Sequence, residues 1–336
     1  MNDTRIVDAD GHVLDRDTDV RPHMEEPYCK REGSLLPGDA WDASMHGTMG
    51  MDIHDVPTRL KDMDQEGIET SVLFPTTAFH LSRLPEKDYA AAYCRAYNNW
   101  IASVCQESPR LRGVGVVPFQ NVPAAVTEVN RAIDKLGLVG ITIGSVGLKE
   151  HLGQPTFWPI YEELQRLNAP LLIHNSRVGP PGEDRFDSFL FMHTIGRPFS
   201  TMQDCAALMY GGVPEKFPKL RIAFLECGIG WVPYWMDRMD EEYEHRSSEA
   251  PLLKGKPSEY MVRGNWFYAV EPEEASLPYG LERVGEDQIL FASDYPHWDG
   301  IFPEVVSTIR GRPDISDSAK QKLLGLNAQR LYGWTP

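Results

Sequence analysis

The apolar positions of this chain fall into short runs separated by longer stretches of mixed character. The runs are residues 5–10 (RIVDAD), 70–75 (TSVLFP), 111–118 (LRGVGVVP), 138–144 (LVGITIG), 170–175 (PLLIHN), 220–228 (LRIAFLECG), 265–269 and 288–292. Each is bounded by turn residues and too short for a core helix, which reads as a strand buried on both faces. Between them the spacing predicts helices over 57–67, 87–106, 123–136, 156–167, 199–210, 232–243 and 273–284, with 303–310 and 317–331 after the last strand. Eight strands, each followed by a helix, predict an α/β fold of parallel units. At this length they predict a closed (β/α)8 TIM barrel.

A doubly wound nucleotide fold is the rival. The first strand, however, leads into Asp8-Ala9-Asp10-Gly11-His12 rather than a glycine-rich phosphate loop. No GxGxxG or GxxxxGK[ST] motif stands where such a fold would need it. No internal repeat, low-complexity tract or linker divides the chain, so residues 1–336 read as a single domain. Long insertions without periodicity follow strand one (16–54) and strand five (176–198). Such excursions usually act as lids, and the loop before Trp41 and the second insertion are read so.

Composition narrows the partners. A net charge of −16 disfavours nucleic acid and anionic membrane, though local arginines still suit an anionic substrate. No apolar run approaches a membrane span, and the N-terminus enters a strand with no secretory signal pattern. Five scattered cysteines without a CxxC motif point to reduced thiols, a cytoplasmic setting and no thiolate metal site.

Polar residues at the strand ends carry the chemistry. In QILFASDYPHWDG (288–300) a buried strand runs straight into Asp294 and His297, and Pro296 keeps them on a loop. Strand one ends in Asp10 and His12, strand five in His174 and strand six in Glu226. His193 lies in the second insertion. Taken singly, each has an ordinary reading: a turn-capping Asp, a hydrogen-bonded core His, a Glu paired with an Arg. In a barrel the strand ends converge, and so many carboxylates and imidazoles together are costly without a cation. Oxygen and imidazole donors without thiolates suit Fe, Mn or Zn. Arg177, Arg185 and Arg197 flank His193 as candidates for a substrate carboxylate or phosphate. Trp298, Trp158, Phe186, Phe189, Phe191 and Trp231 are candidate aromatic walls, and Cys227 reads as a small buried residue. The acidic outer face of 231–246 is a candidate subunit contact.

Four segments together carry a family resemblance: VDADGH, LLIH, GGVPEKFPKLRIAFLECG, and ASDYPHWDG with LLGLNAQRLYGW. By these the chain resembles the amidohydrolase superfamily of TIM-barrel metal enzymes. Within it, the chain is similar to the branch of aminocarboxymuconate-semialdehyde decarboxylase and related aromatic-acid decarboxylases. The resemblance implies metal ligands at Asp10, His12, His174 and Asp294. It also carries two departures: the family usually has His-x-His where Asp10 and His12 stand, and a histidine where Glu226 stands. Glu226 could bridge two ions, and His193 and His297 would extend the ligand set. The pattern also resembles a small group of TIM-barrel dinuclear-iron monooxygenases, related to an enzyme of diterpenoid antibiotic biosynthesis.

The leading expectation is therefore a non-haem monooxygenase with two divalent ions, iron favoured over manganese or zinc. It would hydroxylate a small organic acid or its coenzyme A thioester, using dioxygen and an electron donor. Glu226, Asp294 and His297 would be catalytic, and Arg177, Arg197 and Trp298 would contact substrate. The alternatives are a mononuclear hydrolase or non-oxidative decarboxylase, with Asp294 or Glu226 as proton carrier, and a non-catalytic scaffold subunit of a hetero-oligomer. A homo- or hetero-oligomer is expected in each case.

Overall fold

A computed structural model of the protein describes residues 5–36, 55–144, 146–175 and 185–334. Its strands are β1 (Val7–Val13), β2 (Thr70–Pro75), β3 (Leu111–Gly113), β4 (Gly115–Val116), β5 (Ile141–Gly144), β6 (Leu171–His174), β7 (Ile222–Leu225), β8 (Trp266–Val270) and β9 (Ile289–Phe291). Every ladder is parallel, and neighbours in sequence are neighbours in space. The third expected strand is broken at Val114, so nine segments make eight staves. Val114 N–H turns to Leu73 O (3.1 Å) while Gly115 N–H turns to Gly140 O (2.9 Å), each satisfying a different neighbour. Gly113 is required there, because a Cβ would lie 2.9 Å from Ile101 of the packed helix Lys87–Gln106.

The ring closes between the first and last strands. Asp294 N–H donates to Asp10 O (3.0 Å) and His12 N–H to Tyr295 O (2.7 Å). Val7, Ala9, Val72, Phe74, Leu172, Leu225 and Leu290 fill an inner apolar cluster. A larger cluster lies between strands and helices, with Tyr97, Ile101, Ile160, Met209 and Met236. The fold is thus the (β/α)8 TIM barrel, apolar through its middle, with its polar side chains where the strands stop.

Helix ends follow local chemistry. Asp55 accepts Thr58 N–H at 2.7 Å to start Val56–Glu66, and Gly67 at φ 74° ends it. The second insertion departs from expectation. A helix expected from 199 begins ten residues earlier and runs Phe189–Tyr210, through Pro198. Pro198 supplies no N–H and should break the preceding turn. The hydroxyls of Ser200 and Thr201 bond back to the carbonyls of Gly196 (2.6 Å) and Arg197 (3.1 Å), a pattern that goes with a locally bent helix. His193 and Arg197 consequently share one helix face. Two of the expected aromatic walls also go elsewhere: Trp231 packs on Phe224 and Tyr268, and Trp158 on Phe217. Arg177 and the loop before Trp41 lie outside the described residues.

Candidate metal centre

The site is built where strands end abruptly. Glu226 follows β7 and Asp294 follows β9, and both adopt the left-handed backbone region at φ 53°. This conformation is costly for a non-glycine residue and recurs at functional sites. In β1 the pairing register shifts between Asp8 and Gly11, where the strand turns from its interior residues Val7 and Ala9 to its rim. Asp10 and His12 both reach the mouth as a result.

Six of the expected residues meet at the centre. His174 Nε2 lies 2.9 Å from Glu226 Oε2 and 3.4 Å from Asp10 Oδ2. His12 Nε2 lies 3.3 Å from Asp294 Oδ1, 3.6 Å from Asp10 Oδ1 and 3.9 Å from Glu226 Oε2. His297 is a neighbour on the Asp294 side, its Nδ1 2.6 Å from Asp294 Oδ1. Donor atoms of Asp10, His12 and His174 cluster closely enough to share one ion, as do those of His12, Glu226, Asp294 and His297. His193 stands apart from both groups. Its Nε2 lies 3.8 Å from Asp299 Oδ2, and its ring stacks on Phe189 at 4.8 Å. His193 therefore belongs to the rim, not to the ligand set expected from the sequence.

The candidate ligands are oriented from behind. His12 Nδ1 faces Pro75 O at 3.0 Å and His174 Nδ1 faces Asn175 O at 2.8 Å, which turns each Nε2 inward. Phe79 stacks on His174 at 4.2 Å. Asn175 holds the Glu226 carbonyl at 2.7 Å, and Thr76 Oγ1 meets His297 Nε2 at 3.2 Å. Thr76 is itself fixed through Asp15, which accepts the N–H groups of Thr76, Thr77 and Ala78. Asn175 and Asp299 were within reach of sequence reading, since each adjoins a chosen residue. Thr76, Phe79 and Asp15 carry no such signal.

Burial and crowding shift the charges. Desolvation, strengthened by Glu226 and Asp294, pushes Asp10 up to about 7. Burial would lower His174, but Asp10 and Glu226 outweigh it and hold the imidazole at about 10. Burial drives His12 well below its ordinary value, helped by His297 and His174. Glu226 would rise on burial, yet Arg197 and His174 hold it well below the usual carboxylate range. Asp294 is raised by burial and by Glu226. Cys227 is pushed up to about 12 by burial and stays a thiol.

A divalent cation fits this set. Both oxygens of Asp10 and the Nε2 atoms of His12 and His174 are buried and make no well-aligned hydrogen bond, although His174 Nε2 lies 2.9 Å from Glu226 Oε2. Orphaned buried groups of this kind are expensive, and four of them aimed at one point are what an ion would satisfy. Glu226 presents Oε2 to His174 and turns its other oxygen away from the imidazoles. Its Oε1 is in short contact with Arg197 Nη2, while Arg197 Nη1 reaches Asp299 at 2.9 Å. Trp298 and Phe189 meet edge-on with centroids 5.9 Å apart.

Fold and site together define a barrel enzyme with a metal centre at the C-terminal mouth. The chain belongs to an amidohydrolase family, whose model matches residues 7–334. It is 27% identical to the 2-amino-3-carboxymuconate-6-semialdehyde decarboxylase of Dictyostelium discoideum, over 98% of this chain and 92% of that one. Among solved structures it is similar to 5-carboxyvanillate decarboxylase from Sphingomonas paucimobilis, with TM-score 0.81, 24% identity and 99% and 100% of the two chains covered. It is also similar to a dihydroxybenzoic acid decarboxylase from Polaromonas sp. JS666 with bound manganese and 2-nitroresorcinol, with TM-score 0.74, 22% identity and 99% and 97% coverage.

These similarities overturn the oxidoreductase expectation. The curated relative is a decarboxylase, a lyase rather than a monooxygenase. Two irons, dioxygen and an electron donor therefore give way to the non-oxidative alternative. Among the described residues, no helix is long and apolar enough to cross a membrane.

Proposed function

We propose that this protein is a metal-dependent, non-oxidative decarboxylase of a small aromatic or unsaturated carboxylic acid, working with one divalent ion, manganese. The observation that carries this reading is the set of buried, unpartnered donors on Asp10, His12 and His174, facing Asp294 across the mouth. The similarity to decarboxylases supports the reaction type, and the manganese in the Polaromonas enzyme supports the ion. Asp10, His12, His174 and Asp294 would hold it. Once bound, the ion would supply a Lewis acid toward the substrate's oxygens.

The remaining steps belong to the chain's own side chains. Arg197, fixed between Glu226 and Asp299, orients the incoming carboxylate, and His193 stands beside it on the same helix face. Phe189 and Trp298 provide walls for a planar substrate. The Asp294–His297 pair holds a proton between Oδ1 and Nδ1, with Thr76 fixing the far side of the imidazole. When the bond to the carboxylate carbon breaks, its electron pair stays on the substrate carbon. That carbon takes the proton from the pair, carbon dioxide leaves, and no oxidant is consumed. Glu226, kept ionised by Arg197, steadies the guanidinium instead of carrying the proton.

The test is carbon dioxide release by manganese-loaded protein from a panel of hydroxybenzoates and unsaturated acids, run in air and under argon. Equal release in both is expected. Release that requires oxygen, or none from any acid, rejects the reading. Addition of water to an unsaturated acid without carbon dioxide would assign a hydratase instead.

A further inference from the structure

Asp8 is buried, lies two residues before a proposed ligand, and has no part in the mechanism above. Its carboxylate accepts four hydrogen bonds. Oδ1 takes Ser293 N–H (2.9 Å) and Asp10 N–H (3.3 Å), and Oδ2 takes the hydroxyls of Ser293 (2.7 Å) and Ser71 (2.8 Å). The donors come from β1, from β2 and from the residue before Asp294. Asp8 therefore ties together the two chain segments that close the barrel, at the points where Asp10 and Asp294 leave it.

The space is made for this carboxylate. A Cβ on Gly11 would stand 2.7 Å from both Asp8 Oδ2 and Ser71 Oγ, so the glycine of DADGH admits the side chain. Arg59, also buried, donates to the His12 carbonyl and lies over the Tyr295 ring at 5.0 Å. Its guanidinium helps offset the Asp8 charge. Ser293 Oγ accepts Tyr295 N–H at 3.1 Å, and Tyr295 O accepts His12 N–H at 2.7 Å. One chain of bonds thus runs from Asp8 to the backbone of Asp10, Asp294 and His12.

We propose that Asp8 is a positioning residue that sets the separation of the ligand-bearing ends of β1 and β9, and with it the affinity of the centre for its ion. This rests on the metal-centre reading, touches neither substrate nor ion, and acts through hydrogen bonding more than through charge. Asparagine can reproduce the pattern, because its oxygen accepts the two backbone N–H groups and its amide donates to the two hydroxyls. Alanine cannot.

The experiment measures Mn2+ dissociation constants by electron paramagnetic resonance for the full chain and its variants, with the visible spectrum of the cobalt-loaded forms alongside. Asp8→Ala is expected to weaken binding roughly tenfold or more and to change the cobalt spectrum. Asp8→Asn should remain within about threefold of the parent with the parent spectrum. Equal affinity in Asp8→Ala and the parent, or equal loss in both variants, overturns the inference. A purely structural role would lower the melting temperature of the metal-free protein and leave affinity and spectrum alone. Should Asp8→Ala not fold, Ser293→Ala removes one of the four bonds, and a loss of at least about threefold is expected, a smaller one overturning the inference. A parent protein that binds no manganese would fault the metal-centre reading itself.

Discussion

Strand β1 presents two buried carboxylates, two residues apart, in opposite circumstances. Asp8 faces the helix layer and accepts four hydrogen bonds, whereas Asp10 faces the mouth, where neither oxygen accepts a well-formed hydrogen bond and the nearest imidazole, His174, stands 3.4 Å off. The same contrast separates the regions around them. Behind β1, hydroxyls and backbone N–H groups surround the acid, and Arg59 and Tyr295 pack alongside. At the mouth, acids and imidazoles crowd together at 2.9–3.9 Å with their inner atoms unmatched. A protein ordinarily satisfies what it buries. A region that does so beside one that does not indicates which groups serve the fold and which await a ligand.

The strongest way to break this comparison is to change Asp10. Asp10→Asn should abolish manganese binding and lower carbon dioxide release by roughly a thousandfold or more, as expected for loss of an essential catalytic component. The metal-free protein should melt near the parent temperature, because one carboxylate of a crowded cluster that also holds Glu226 and Asp294 has been removed. Elemental analysis and calorimetry read the two halves separately. Full metal content in Asp10→Asn would place Asp10 with Asp8 among the structural acids.

Removing the ion tests the same point without mutation. A ligand bound only to the native state at a thousand times its dissociation constant adds about 4 kcal/mol of stability. Chelation should therefore lower the melting temperature of the parent by several degrees and leave Asp10→Asn unmoved. A parent protein indifferent to chelation would mean that the mouth is stable as it stands and needs no cation.

Gly11→Ala probes the other side of the strand. Its methyl group would meet Asp8 Oδ2 and Ser71 Oγ at 2.7 Å, and overpacking of this kind costs about 1–3 kcal/mol. The loss should appear in urea denaturation of the metal-free protein. No change in midpoint would show that Asp8 and Ser71 shift freely, so that the tight packing behind β1 is not what fixes it.

The contrast also explains what was legible in the sequence. Buried parallel strands are short apolar runs, and the residues after LLI, AFL and ILFAS stand out as polar against them. This exposed His174, Glu226 and Asp294. Partners contributed by other parts of the chain were invisible, because Ser71 and Ser293 reach Asp8 only after the barrel closes. The start of the helix Phe189–Tyr210 was hidden by Pro198, which reads as a helix boundary although the helix runs through it. With that helix start went the placement of His193 and Arg197, and with it the pairing of Glu226. A glutamate standing alone in LECG gives no hint of Arg197, whose guanidinium takes one of its two oxygens.

The smallest effect is expected at the rim, where the comparison turns from acids to rings. Trp298 is about half exposed, at 49%, and touches Phe189 and His193 edge-on or tilted instead of filling the core. Truncating it leaves the ligand set and the Asp294–His297 pair in place. The apolar area it offers a planar substrate is lost on binding and in the transition state alike. Uniform binding of this kind enters KM and leaves kcat nearly untouched. Trp298→Ala should therefore raise KM by roughly five- to thirtyfold, the value of one partly exposed ring contact of about 1–2 kcal/mol, with kcat within about twofold. Steady-state kinetics on the best acid of the panel decide it. A fall in kcat at constant KM would instead place the indole against the reacting carbon, inside the region now assigned to Asp294 and His297.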